Sequence, residues 1–225
     1  MKNLFQTLCI LLFTVLYSSC GHSDENVDVL IIGGGASGMT SGIEAARLGA
    51  NTLIVEETTW LGGMLTSAGV SAIDGNYKLP SGFWGEFRDS LAVHYGGLQN
   101  LSTGWVSKVL FEPSVGNKIF NEMASAEKHL TIWKQAKLDE VKRVGDEWVA
   151  KITIDGKETK TVRAKVMIYA TELGDVAKMC GVKYDIGMES RKVTHEDIAP
   201  EKANNIVQDI TYVAILKDYG KDVTI

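Results

Sequence analysis

A chain of 225 residues, 45% apolar and 23% charged, is long enough for one large core or two small ones and has an ordinary globular composition. Its formal net charge of −5 and the lack of a basic run argue against nucleic acid as a partner.

The N-terminus reads as a leader. Met1-Lys2-Asn3 is a short basic start, and Leu8 to Tyr17 is nearly unbroken apolar sequence. A bilayer span takes about 20 residues, so this stretch is too short for one. Ser18-Ser19-Cys20-Gly21 follows, then a polar tether from His22 to Asn26. Residues 1–20 resemble a bacterial lipoprotein-type signal peptide, with Cys20 as the lipidated first residue of the mature chain. Tyr17 stands where that pattern usually has Leu, and ordinary signal cleavage nearby is the rival reading. The leader implies an exported bacterial protein on the periplasmic side or in the cell envelope, held to the membrane through a lipid on Cys20. With no twin arginine, export would use the unfolded-chain route, and any cofactor would load afterwards.

Val27 to Ile32 is almost wholly apolar and β-branched, as a strand buried on both faces should be. Gly33-Gly34-Gly35-Ala36-Ser37-Gly38 follows, then a helix-compatible stretch to Leu48, Gly49 as its stop, and a second strand, Asn51 to Val55, ending in Glu56. This is the fingerprint of a dinucleotide-binding βαβ unit. Gly33 permits the tight turn. Gly35 lets backbone N–H groups approach a pyrophosphate at the helix N-terminus. Gly38 allows close helix–strand packing. Glu56 lies about 20 residues on, where a carboxylate can accept hydrogen bonds from a ribose diol. Glu57 is counted as a further cofactor neighbour, although Glu56 holds the conventional strand-end position.

A second glycine pair, Gly62-Gly63, lies in the turn-like stretch Trp60 to Thr66, where the backbone, with Met64, could approach a cofactor. Ser81 to Tyr95 suits a helix with Phe83, Phe87, Leu91 and His94 along one face. Glu112 to Ala126 suggests another, with Pro113 in its first turn. Strands are then expected over Leu130 to Gln135, Leu138 to Val144, Glu147 to Ile154, Glu158 to Arg163 and, separately, Val166 to Tyr169. Gly145-Asp146 and Asp155-Gly156 supply the turns.

Of the three cysteines, Cys9 and Cys20 belong to the leader, and Cys180 alone remains for the folded part, so no internal disulfide is expected. Cys180 reads as a small buried hydrophobe. The histidines His22, His94, His129 and His195 lack ligand spacing, and no metal site is expected. His94, Tyr95 and Asp74 are the conceivable acid–base groups. None is assigned a catalytic role.

The fingerprint alone does not separate FAD from NAD, because both carry an ADP half. Three features favour FAD: the motif opens the mature chain, a second glycine pair follows the Glu56 strand, and a three-stranded meander precedes a late apolar strand with a small-residue turn. In Asp28 to Glu57, Trp60 to Gly69, Phe111-Glu112-Pro113 and Tyr169 to Asp175 the chain resembles the FAD-dependent oxidoreductases of the glutathione-reductase-like superfamily, most of all a secreted bacterial branch. The resemblance implies a Rossmann-like α/β FAD-binding domain with a three-stranded antiparallel meander and part of an inserted substrate domain. It adds Ala170 and Thr171 as cofactor neighbours, with Leu138 on the first meander strand. The superfamily usually has Ala-Thr-Gly at the late strand end; here Glu172 takes the glycine's place.

The expected organisation is an FAD-binding domain over 27–65 and 111–185, an inserted helical segment over 66–110, and from 186 to 225 the start of a truncated substrate domain. Members of the superfamily are about twice this length, so a truncated product is expected. The function implied is an FAD-dependent oxidoreductase that moves a hydride from a small-molecule or glycan-derived substrate to flavin. The rival readings are a catalytically inactive, truncated FAD- or ADP-binding fragment, and an NAD-dependent dehydrogenase.

Overall fold

The computed structural model describes residues 25–209, 213 and 219–222. The leader and Cys20 lie outside the described residues. Strand β1 (Glu25–Ile32) runs into the glycine turn and helix α1 (Ala36–Arg47), and β2 (Thr52–Glu56) returns parallel to it. A short pair, β3 (Ala72–Ile73) and β4 (Val109–Leu110), brackets helix α2 (Gly82–Tyr95). Helix α3 (Pro113–Ser125) then leads to β5 (Leu130–Lys134). Next come β6 (Ala136–Val144), β7 (Glu147–Ile154) and β8 (Glu158–Tyr169), followed by the short helices α4 (Asp175–Met179) and α5 (Arg191–Thr194).

Six strands form one sheet in the order β5-β2-β1-β8-β7-β6. The four at the β5 end are parallel, and β8-β7-β6 is an antiparallel meander. The strand expected to end at Arg163 and the one expected to start at Val166 are a single element. From Glu158 to Ala164, β8 pairs with β7; from Val162 to Tyr169 it pairs with β1. Ala164 and Lys165 continue the strand between them, and Lys165 is an exposed strand residue whose ammonium meets Asp28 Oδ1 at 2.6 Å.

The apolar run of β1 is explained by two cores. Ile31 of β1 and Ile54 of β2 pack with Met39 and Ile43 of α1, Phe87 and Leu91 of α2, and Phe120 of α3. Leu30, Ile32, Leu53 and Val55 point to the other face, where Leu138, Ile152 and Val162 of the meander and Val176 of α4 cover them. Adjacent strand residues thus enter opposite cores, as the period of two requires. Phe87 stacks on Phe120 with centroids 4.5 Å apart and meets Phe111 edge-on at 5.7 Å. This trio fixes α2 and α3 over the start of the sheet.

Helix α2 spans nearly the expected residues, but its inner face is Phe87, Arg88 and Leu91, and His94 is exposed. Arg88 is buried because its guanidinium donates to the Tyr77 and Leu79 carbonyls and to Asp89. One side chain therefore ties the preceding loop to the helix. Helix α3 starts with Pro113 in its first turn, as expected.

Candidate functional site

The parallel strands β1, β2 and β8 all end at one edge, and the glycine turn sits there. Gly33 has φ +106°, a conformation that other residues reach only with strain. A Cβ at that position would also run into the Ala170 carbonyl. Gly38 has a second constraint, since a Cβ there would collide with the Gly33 carbonyl oxygen. The turn is closed against β8 by the Ala170 N–H, which donates to Ile32 O at 2.8 Å.

Helix α1 begins at Gly35 with no side-chain cap. A glycine N-cap leaves the first-turn N–H groups to be satisfied from outside the chain, and the helix dipole places partial positive charge there. Ala36 and Ser37 are exposed, so that first turn faces outward. An uncapped helix start with small, exposed residues is a receptor for an anion such as a diphosphate.

Glu56 is 8% exposed at the end of β2. Its Oε2 accepts the Gly34 N–H at 2.7 Å, and its Oε1 accepts the Thr58 N–H at 2.8 Å. The carboxylate therefore braces both the glycine turn and the loop after β2. Each oxygen keeps a lone pair for a further donor. Glu57 is exposed.

The second glycine pair docks on the first. Gly62 N–H donates to Gly34 O at 2.8 Å, and Gly35 and Gly62 form an isolated parallel bridge. Gly62 has φ +108°, and a Cβ there would lie 2.6 Å from the Phe120 ring. The turn is held from below by Asn117, whose Oδ1 accepts the Leu61 N–H at 2.9 Å, and by Thr66, whose hydroxyl donates to Leu61 O at 2.6 Å. No sequence signal joins residue 61 to residue 117, so these supports were invisible before the fold was known. Met64 is 56% exposed beside the pair.

Ala170 is buried and Thr171 half-buried on the third side. The Thr171 hydroxyl oxygen is buried without a hydrogen-bond partner. Such an orphaned group is uncommon in a folded protein, and a bound ligand is one way to satisfy it. Leu138 differs from the other expected site residues. Its side chain is 5% exposed and lies in the core with Ala136 and Ile152, so it offers a ligand only backbone. Tyr95 has a structural partner, since its hydroxyl accepts the Glu112 N–H at 2.9 Å. Asp74 is exposed in a loop. A separate cavity lined by Asp185, Glu189, Thr194 and Pro200 contains no residue of the glycine turns.

Two docked glycine turns, an uncapped helix start and a strand-end carboxylate define a Rossmann-like dinucleotide-binding fold of the flavoprotein kind. The chain belongs to the FAD dependent oxidoreductase family, whose model matches residues 28–224, and its cofactor is FAD. It is 30% identical over 177 residues to a leghemoglobin reductase from Vigna unguiculata, a match covering 76% of this chain and 32% of that protein. The chain thus spans about a third of the length of this relative. Among solved structures it is similar to p-nitrophenol 4-monooxygenase from Pseudomonas putida DLL-E4, with TM-score 0.54 and 13% identity over 74% of this chain and 46% of that one. It is also similar to a flavoprotein/dehydrogenase from Cytophaga hutchinsonii, with TM-score 0.52 and 20% identity over 70% and 42% of the two chains. At these identities the likeness to the solved structures is one of fold. The residues at the strand ends fit FAD: the cradle is lined by positions with no room for a Cβ, and the backbone of Thr171, whose hydroxyl lacks a partner, lies against Gly33.

Proposed function

We propose that this chain forms the FAD-binding part of an exported oxidoreductase that moves a hydride from a small-molecule or glycan-derived substrate to flavin. The observation that carries the reading is the uncapped start of α1 held beside the buried Glu56 carboxylate. In this reading the N–H groups of Gly35, Ala36 and Ser37 take the charge of the diphosphate. The free lone pairs of Glu56 accept the hydroxyls of the adenosine ribose. Gly62, Gly63 and Met64 lie along the cofactor's middle, and Ala170 and Thr171 flank it, with the Thr171 hydroxyl gaining its missing partner. When bound, FAD supplies the two-electron redox chemistry. The chain's own contribution is to bind and orient it. No side chain is assigned to proton transfer.

The full chain should be purified, mixed with FAD, freed of excess and examined by visible absorption. A retained flavin spectrum supports the reading, and bleaching by a candidate substrate without oxygen would then identify what it oxidises. A protein that releases FAD but retains NAD would overturn it. The leader reading is tested separately. With Cys20 carrying the lipid, the chain fractionates with membranes and Cys20→Ala releases it; unchanged membrane association of that variant would rule out the lipid anchor.

A further inference from the structure

The turn between β8 and α4 carries a charge that the cofactor reading does not use. Glu172 is an exposed residue, and its Oε1 lies 2.8 Å from where a Cβ of Gly63 would be and 3.0 Å from where one of Gly35 would be. One carboxylate oxygen thus rests against both glycine turns at once, over the uncapped start of α1. Among the described residues it has no ion-pair partner. The electrostatics explain the position, because a negative group is favoured at a helix N-terminus whose N–H groups are unpaired. The same groups are those a diphosphate needs.

We propose that Glu172 is a built-in competitor for the diphosphate position, and that it sets how tightly this chain holds FAD. This rests on the reading of the glycine turns as the cofactor cradle. A diphosphate cannot enter while the carboxylate lies across Gly35 and Gly63, since both are anionic and claim the same space. Binding therefore requires the side chain to swing outward. The geometry allows that, because Leu173 beside it is 85% exposed and Gly174 has φ +82°, leaving the turn open to solvent. The cost falls only on ligands that carry the diphosphate.

The test compares the full wild-type chain with Glu172→Gln and with Glu172→Asp, which keeps the charge on a shorter stem. Each is titrated with FAD, with ADP and with adenosine, reading dissociation constants by calorimetry. Glu172→Gln is expected to bind FAD and ADP on the order of tenfold tighter, the size of a partly screened like-charge contact. Adenosine binding is expected to stay unchanged, and Glu172→Asp to fall between the two. Added salt should narrow the gap between wild type and Glu172→Gln. Equal FAD affinity in wild type and Glu172→Gln overturns the proposal while leaving the cradle intact. Weaker FAD binding by Glu172→Gln also overturns it, by making Glu172 a ligand. A parallel gain for adenosine overturns it as well, because that gain has no diphosphate to act on. Failure of every form to bind FAD or ADP overturns the cradle reading and this proposal with it.

Discussion

Glu56 Oε2 accepts the Gly34 N–H at 2.7 Å, so a residue at the end of β2 fixes the turn at the end of β1. The same carboxylate accepts the Thr58 N–H through its other oxygen. Replacing it with alanine leaves two backbone donors without their acceptor near a buried position. Glu56→Ala is expected to lose about 1–3 kcal/mol of stability. Glu56→Gln restores one acceptor and should recover part of that loss. Both should also bind FAD more weakly, so the rise in melting temperature on adding FAD shrinks. Thermal unfolding with and without FAD separates the two effects.

Gly62 combines a positive φ with a collision, because a Cβ would lie 2.6 Å from the Phe120 ring and 2.7 Å from Thr66 Cγ2. Gly49 at φ +88° has open space around it. Gly62→Ala is expected to cost roughly 2–4 kcal/mol from strain and overpacking together. Gly49→Ala should cost only about 1–2 kcal/mol, from the left-handed backbone alone. Denaturant unfolding of the two variants measures the difference that packing against Phe120 makes.

How much of this was legible beforehand depends on the range of the interaction. The βαβ unit could be read because its constraints are local: Gly33, Gly35, Gly38 and Glu56 are dictated by one turn and the strands beside it. The helices over 82–95 and 113–125 could be read from apolar spacing and Pro113. The union of two expected strands into β8 was hidden by Lys165, whose partner Asp28 lies far back in the chain. His94 sat on the expected inner face by spacing alone, yet Arg88 took the buried place because distant carbonyls satisfy it. Asn117 and Glu172 come beside the glycine turns only through the tertiary fold. No periodicity reports that.

Arg47 at the end of α1 donates to Glu86 of α2 at 2.7 Å and to Glu127 after α3 at 2.8 Å, with Glu44 at 2.9 Å. It ties α1 to α2 and to the loop after α3. Arg47→Ala is expected to cost about 1 kcal/mol, the upper range for a partly exposed ion pair. The Arg47 guanidinium holds the Glu86 carboxyl below its ordinary value of 4.5. A depressed carboxyl contributes its stability above the unfolded value and loses it as pH falls through the folded one. The gap in melting temperature between wild type and Glu86→Gln should therefore be full at neutral pH. It should close on acidification below 4.5.

Cys180 is half-buried against the meander-side core, and burial pushes its thiol up from the ordinary value. Fewer thiolates at neutral pH mean slower attack on a disulfide reagent. Under native conditions Cys180 is expected to label much more slowly than a free thiol, and unfolding should restore the ordinary rate. Fast native labelling would contradict the packing described for it. A Cys180→Ala variant should keep its fold with a modest loss of stability.

Strand β8 has a neighbour on each edge between Val162 and Ala164, with β7 on one side and β1 on the other. Its residue count is therefore fixed by two registers simultaneously. Inserting one residue near Ala164 would turn either the meander half or the β1 half inside out, exchanging core and solvent faces there. Loops elsewhere tolerate changes in length, but here no single insertion or deletion satisfies both partners. Between 158 and 169 a change of length is thus harder to absorb than a substitution at an exposed position such as Lys165.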